Sequence, residues 1–122
     1  MARYVRVSNT ARDTVLAERC RVASGLFQTV FGLHLLPRLA QGEGLLLPGA
    51  TTIDTTFMRY AIDLVFVDRD RRVTKLVPAL VPWRIVWGAS GGRDCIELPA
   101  GALEGTATEV GDRLNLEELA DR

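Results

Sequence analysis

Lysine is almost missing from this chain: Lys75 is the only one, against 14 arginines. There is one histidine, His34, and two cysteines, Cys20 and Cys95, which stand 75 residues apart. A metal centre needs three or four convergent ligands. With no Cys-x-x-Cys pair and a single His, no metal or cofactor spacing can be read, and none is expected. Long apolar runs are missing too. The longest, Leu64-Val65-Phe66-Val67, falls far short of the ~20 residues of a membrane span. Fifteen basic and 15 acidic residues cancel, so no net field steers the chain toward nucleic acid or anionic lipid. Met1 to Val7 has no apolar core of a signal peptide, which points to the cytoplasm and to reduced, buried thiols.

What is present is an ordinary soluble composition, 48% hydrophobic and 25% charged over 122 residues. That is enough for one domain over residues 1–122 and too little for two. Tyr4 to Ser8 alternates as a strand, and Thr14 to Val22 alternates again, with Arg19 and Arg21 on its polar face. Ser24 reads as an N-cap, with Leu26, Phe27, Val30 and Phe31 at helical spacing, so one short helix is expected near residues 24–32. Leu45 to Leu47 is a short buried strand. Ile62 to Val67 is apolar on both faces except at Asp63, the pattern of a central strand. Asp68-Arg69-Asp70-Arg71 turns it back into Arg72 to Val77. Pro78 and Pro82 leave Trp83 to Trp87 at most an edge strand, and two short strands follow near Cys95 to Leu98 and Arg113 to Leu116. Seven or eight strands with one helix leave no room for parallel crossovers. The fold class is mostly β (α+β), an antiparallel sheet curled into a small barrel or sandwich.

Few residues offer chemistry. His34 lies among leucines with no nucleophile motif near it, and it reads as structural. Asp68-x-Asp70 resembles the start of a calcium loop, but Arg72, Val73 and Ala79 fall where a ligand, the turn glycine and the bidentate Glu belong. Ser90-Gly91-Gly92-Arg93-Asp94 is glycine-rich but leads into a strand, so it is no phosphate loop. Arg69, Arg71 and Arg72 with Trp83 and Trp87 offer cations and stacking faces for nucleic acid, against which the neutral charge argues. Asp63 and Glu97 are the unusual positions, carboxylates inside apolar strands. Unpaired buried charges cost several kcal/mol, so each needs a partner. For Asp63 the candidates are backbone N–H groups, Arg84 or a residue across the sheet. Arg59 lies about 13 Å back along the strand. Structurally, Asp63 and Glu97 fix strand register; functionally, Arg59, Asp63 and Glu97 would converge in one cleft.

Gly42-Glu43-Gly44-Leu45-Leu46-Leu47, the Phe57-Met58-Arg59 to Ile62-Asp63 core and Pro82-Trp83-Arg84 occur in order. Glu97-Leu98-Pro99-Ala100-Gly101 and Val110-Gly111-Asp112-Arg113-Leu114 follow. The series resembles the small prokaryotic family known as domain of unknown function 192. The resemblance implies one compact, mostly β domain with no established activity, and it sets family positions on Met58, Arg59, Ile62, Asp63 and Glu97. Three departures stand out. Asp54 replaces a His frequent in relatives, Leu36 stands where an Arg is usual with Arg38 as a substitute, and Arg71 replaces a turn glycine. If the left-handed backbone is kept at Arg71, it costs about 1 kcal/mol. The expected function is a non-enzymatic binding or accessory domain with a protein or small-molecule partner. Its rivals are a ligand-binding or catalytic cleft at Arg59, Asp63, Glu97 and Arg84, and a nucleic-acid surface at Arg69, Arg71, Arg72 and Trp83.

Overall fold

The structure, a computed structural model, describes residues 2–23, 38–56 and 58–120. The helix expected near 24–32, His34 and Leu36 lie outside the described residues. Within them the chain forms strands only, in the order β1 (Arg3–Asn9), β2 (Thr14–Val22), β3 (Glu43–Leu47), β4 (Thr52–Asp54), β5 (Ile62–Val67), β6 (Val73–Leu80), β7 (Ile85–Trp87), β8 (Asp94–Pro99) and β9 (Leu114–Glu118). Seven make one sheet, β6-β5-β8-β3-β2-β1-β9, and β4 and β7 make a separate two-stranded ribbon. The large sheet curls until its two edges touch. Arg72 bridges Arg113, and the Val73 and Leu114 N–H groups donate across the seam to the Asp112 and Arg71 carbonyls, both at 2.9 Å. The result is a half-barrel closed at one end.

The sheet is mostly antiparallel, as expected, with one parallel pair, β2 and β3. The chain between them spans residues 23–42, long enough for the crossover a parallel pair requires.

The continuous apolar strands follow from burial on both faces. Along β5 the side chains of Val65 and Val67 enter the barrel with Ile96, Leu98, Leu46, Val5, Val7 and Leu114. Ile62, Leu64 and Phe66 point outward into a second core with Leu45, Leu47, Cys95, Ile53 and Met58. The β4–β7 ribbon belongs to that second layer, resting on it through Ile53 and Val86. Gly88 permits the contact, since a Cβ there would meet the Phe66 ring at 2.9 Å.

Strand β6 continues past Pro78 to Leu80, where the sequence suggests a stop. It is an edge strand over this stretch, so the missing N–H leaves no ladder bond unmade. One extra residue bulges out here, since Pro78 and Ala79 oppose the single Asp63 between the pairs Ile62–Leu80 and Leu64–Val77, and Ala79 takes a φ of 50°. At the other end of the hairpin, Asp68 Oδ1 accepts the Asp70 and Arg72 N–H groups, both at 2.9 Å. Arg71 sits there with φ 65°, the left-handed conformation for which glycine is suited.

Candidate functional site

The two carboxylates inside the strands part company at once. Asp63 pairs with Leu98, while Glu97 pairs with Leu64. Directly opposed residues share a face and successive residues alternate, so Asp63 points into the barrel and Glu97 into the outer core. Asp63 is buried, yet well supplied. Its Oδ1 accepts the Ala79 N–H at 2.8 Å, and its Oδ2 accepts those of Gly101 at 3.1 Å and Leu103 at 2.9 Å. It thereby ties the β6 bulge to the turn after β8. Neither Arg59 nor Arg84 is its partner. Arg59 is exposed in the loop before β5, and the Arg84 guanidinium donates to the Trp83 carbonyl at 3.2 Å. The expected cleft of Arg59, Asp63, Glu97 and Arg84 is therefore not assembled, because the sheet itself stands between its carboxylates.

Glu97 is the opposite case. It is 0% exposed, and among the described residues neither carboxylate oxygen has a hydrogen-bond partner. Burial pushes its carboxyl well above the usual range, because an unpartnered charge in apolar surroundings is relieved by taking up a proton. Tyr60 lies close by. Its hydroxyl is raised by burial and then by Glu97, with Arg38 opposing, and the Arg38 guanidinium stands 5.6 Å from its ring centroid.

Glu97 is buried beneath the surface, but its strand partner Leu45 lines a concavity. A pocket of about 160 Å³ opens between β2 and β3, lined chiefly by Tyr4, Arg19, Arg21, Arg38, Glu43 and Leu45. The Arg19 guanidinium lies 3.8 Å over the Tyr4 ring, a cation–π contact that fixes its plane and leaves its N–H edges available. Among the described residues no ion pair involves Arg19, Arg21 or Arg38, whereas Arg6 on β1 is matched to Glu18 at 3.0 Å. The acidic member of the lining, Glu43, accepts the Ala40 N–H at 2.7 Å. Sequence reasoning missed this site. Arg19 and Arg21 read as an ordinary solvated strand face, and the parallel β2–β3 pairing that sets Leu45 beside Arg21 has no local signal.

The hairpin residues do not form a stripe. Arg69 is exposed at the tip, Arg71 is half-buried, and Arg72 donates to the Gly111 carbonyl at 3.2 Å. Trp83 is exposed but follows the far end of β6, which spans eight residues, roughly 25 Å at ~3.3 Å per residue. Cations and stacking face are thus at opposite ends of the β5–β6 hairpin. Thr55, not singled out in the sequence, pins Trp83 and Arg84 in place. Its carbonyl accepts the Trp83 N–H at 3.1 Å, and its hydroxyl accepts the Arg84 N–H at 2.9 Å.

Cys20 and Cys95 are free and buried, one in each core. Burial, with Glu97 adding to it, raises the Cys20 thiol to about 12 and the Cys95 thiol well above its ordinary value. Neither is a nucleophile. Among the described residues, no group of three His, Cys, Asp or Glu side chains could hold a metal ion. No helix there is long and apolar enough to cross a membrane.

Comparison with known proteins agrees with the fold. A UPF0127 protein of Thermococcus sibiricus is 30% identical over 118 residues, covering 93% of this chain and 76% of that protein. One from Pyrococcus abyssi is 27% identical over 112 residues, covering 88% and 94%. A protein of unknown function from Novosphingobium aromaticivorans has a similar structure, with a TM-score of 0.75 at 22% identity over 92% of this chain and 83% of its own. The family model described as DUF192, Uncharacterized ACR, matches residues 7–116, so the chain belongs to the domain of unknown function 192 family.

Proposed function

We propose that this chain is a non-enzymatic, cytoplasmic binding domain, one folding unit over residues 1–122, whose site is the arginine pocket between β2 and β3. Its ligand carries a carboxylate or phosphate group. The observation that carries this reading is the convergence of Arg19, Arg21 and Arg38 on one small concavity without an ion-pair partner among the described residues. Guanidinium groups recognise planar carboxylates and phosphates through paired N–H bonds, and the Tyr4 ring holds one of the three in position. Binding is favoured over catalysis because the described residues of the lining include no thiol and no imidazole. The buried, unpaired thiols fit a reducing compartment.

The test is an NMR titration at low ionic strength with inorganic phosphate and with acetate. Saturable shifts are expected at residues 19–21 and 43–45, weakened about tenfold or more in the Arg21→Gln/Arg38→Gln double variant. A flat response at millimolar concentrations of both anions removes the reading.

A further inference from the structure

Tyr4, Arg21, Leu45, Glu97 and Leu64 are consecutive partners across β1, β2, β3, β8 and β5. Direct partners share a face, so all five side chains stand in one row on the outer side of the sheet. Leu45 lines the arginine pocket, and Glu97 is the next residue along. With strands about 4.8 Å apart, the Arg21 and Glu97 backbones are roughly 10 Å from each other. Tyr60 borders the same stretch, with Arg38 against its ring and Glu97 acting on its hydroxyl. A cluster of unpaired guanidinium groups and a buried, orphaned carboxyl are therefore separated by one leucine. An orphaned buried polar group in a well-packed core calls for a partner, and here the missing partner can come from outside the chain.

We propose that the pocket's ligand is a small bifunctional anion. Its carboxylate or phosphate sits on Arg19, Arg21 and Arg38, its body lies over Leu45, and an N–H group at its far end hydrogen-bonds to Glu97. This rests on the arginine pocket being an anion site. Tyr60, half-buried beside Glu97, is the side chain that has to shift for the far end to enter. Glu97 then selects among anions rather than attracting them, since a ligand without the donor leaves the carboxyl as it was. The spacing suits a short ω-amino acid, for which 6-aminohexanoate is the simplest probe.

Calorimetric titration of the intact protein with 6-aminohexanoate, N-acetyl-6-aminohexanoate and hexanoate tests this, using the wild type, Glu97→Gln and Glu97→Leu. Both nitrogen-bearing probes should bind about tenfold or more tightly than hexanoate. That advantage should vanish in Glu97→Leu and persist in part in Glu97→Gln, with hexanoate binding alike in all three. Tighter binding of the amine than of the amide identifies the donor as an ammonium. Equal binding of hexanoate and 6-aminohexanoate to the wild type, or a loss of hexanoate binding in Glu97→Leu, overturns the role of Glu97 and leaves the anion pocket standing. No binding of any probe, inorganic phosphate included, overturns the pocket reading itself.

Discussion

Along β5 and β8 the neighbouring pairs Asp63–Leu98 and Leu64–Glu97 place two carboxylates on opposite faces of the same sheet. Both are fully buried, and their consequences for stability have opposite sign. Asp63 satisfies three backbone N–H groups. Asp63→Ala strands them, and each unsatisfied buried donor costs about 1–3 kcal/mol, so a total loss of roughly 3–5 kcal/mol is expected. Asp63→Asn should lose less, since the amide oxygen still accepts from Gly101 and Leu103 while its NH₂ opposes the Ala79 N–H. Glu97 satisfies nothing. Its carboxyl is raised in the folded chain above the ordinary 4.5, so the folded state holds a proton that the unfolded state releases. Stability therefore falls as pH rises from about 4.5 toward the folded value. Glu97→Gln removes that slope, and Glu97→Leu removes the desolvated group as well. Either should gain roughly 1–3 kcal/mol over the wild type at neutral pH. Near pH 4 the Glu97→Gln difference should shrink toward zero, while Glu97→Leu keeps the part of its gain that comes from removing the desolvated group. Urea unfolding of the four variants at two pH values checks both signs. A destabilised Glu97→Leu would mean that the carboxyl has a structural partner.

At the scale of elements, legibility followed burial. Strand β5 could be read because both of its faces pack, leaving six consecutive buried residues broken only by the polar Asp63. The Asp68–Arg71 turn was equally plain, since Asp caps turns through its own backbone neighbours. Strand β4 was not legible: three residues whose only strand partner among the described residues is β7 have too short a period to register. Nor could β6 be followed beyond Pro78, because what sustains it is a carboxylate from β5 filling a bulge. The family resemblance set Asp63 and Glu97 among its shared positions, but only strand alternation in three dimensions separates them. Arg38, which the resemblance offers in place of a missing arginine, is one of the residues that line the pocket. The same resemblance implies a glycine at Arg71, whose φ of 65° lies in the left-handed region that favours glycine. Its half-buried guanidinium also leaves Nη1 without a hydrogen-bond partner. Arg71→Gly removes the Cβ penalty and the desolvated donor together, so a gain of about 1 kcal/mol is expected. Thermal unfolding of the variant checks this, and a lower midpoint would show that packing by the arginine stem outweighs the strain.

The whole molecule depends on keeping its curled sheet closed where β6 meets β9, and a polar cluster beside the seam does this. Asn9, buried at the end of β1, donates to Thr108 Oγ1 at 3.1 Å and to Asp112 Oδ2 at 3.0 Å. The same Oδ2 accepts from Arg12 Nε at 3.0 Å and from the Glu109 N–H at 2.9 Å, while the Asp112 carbonyl holds Val73 across the seam. Hydrogen bonds from Arg12, Asn9 and the Glu109 backbone lower the Asp112 carboxyl from 3.8 to about 2. A carboxyl lowered in the folded state contributes stability that is complete above its unfolded value and is lost as pH falls through the folded one. The seam should therefore weaken between about pH 4 and pH 2. Because the barrel is otherwise held by continuous ladders, the first amides to lose protection should be those of Val73, Gly111 and Leu114, ahead of β5 and β8. Hydrogen exchange followed across that pH range tests the order, with Asp112→Asn as the control. The variant should exchange faster at these amides at pH 6 and show no further change on acidification. Equal protection of seam and central strands down to pH 2 in the wild type would locate acid sensitivity elsewhere in the fold.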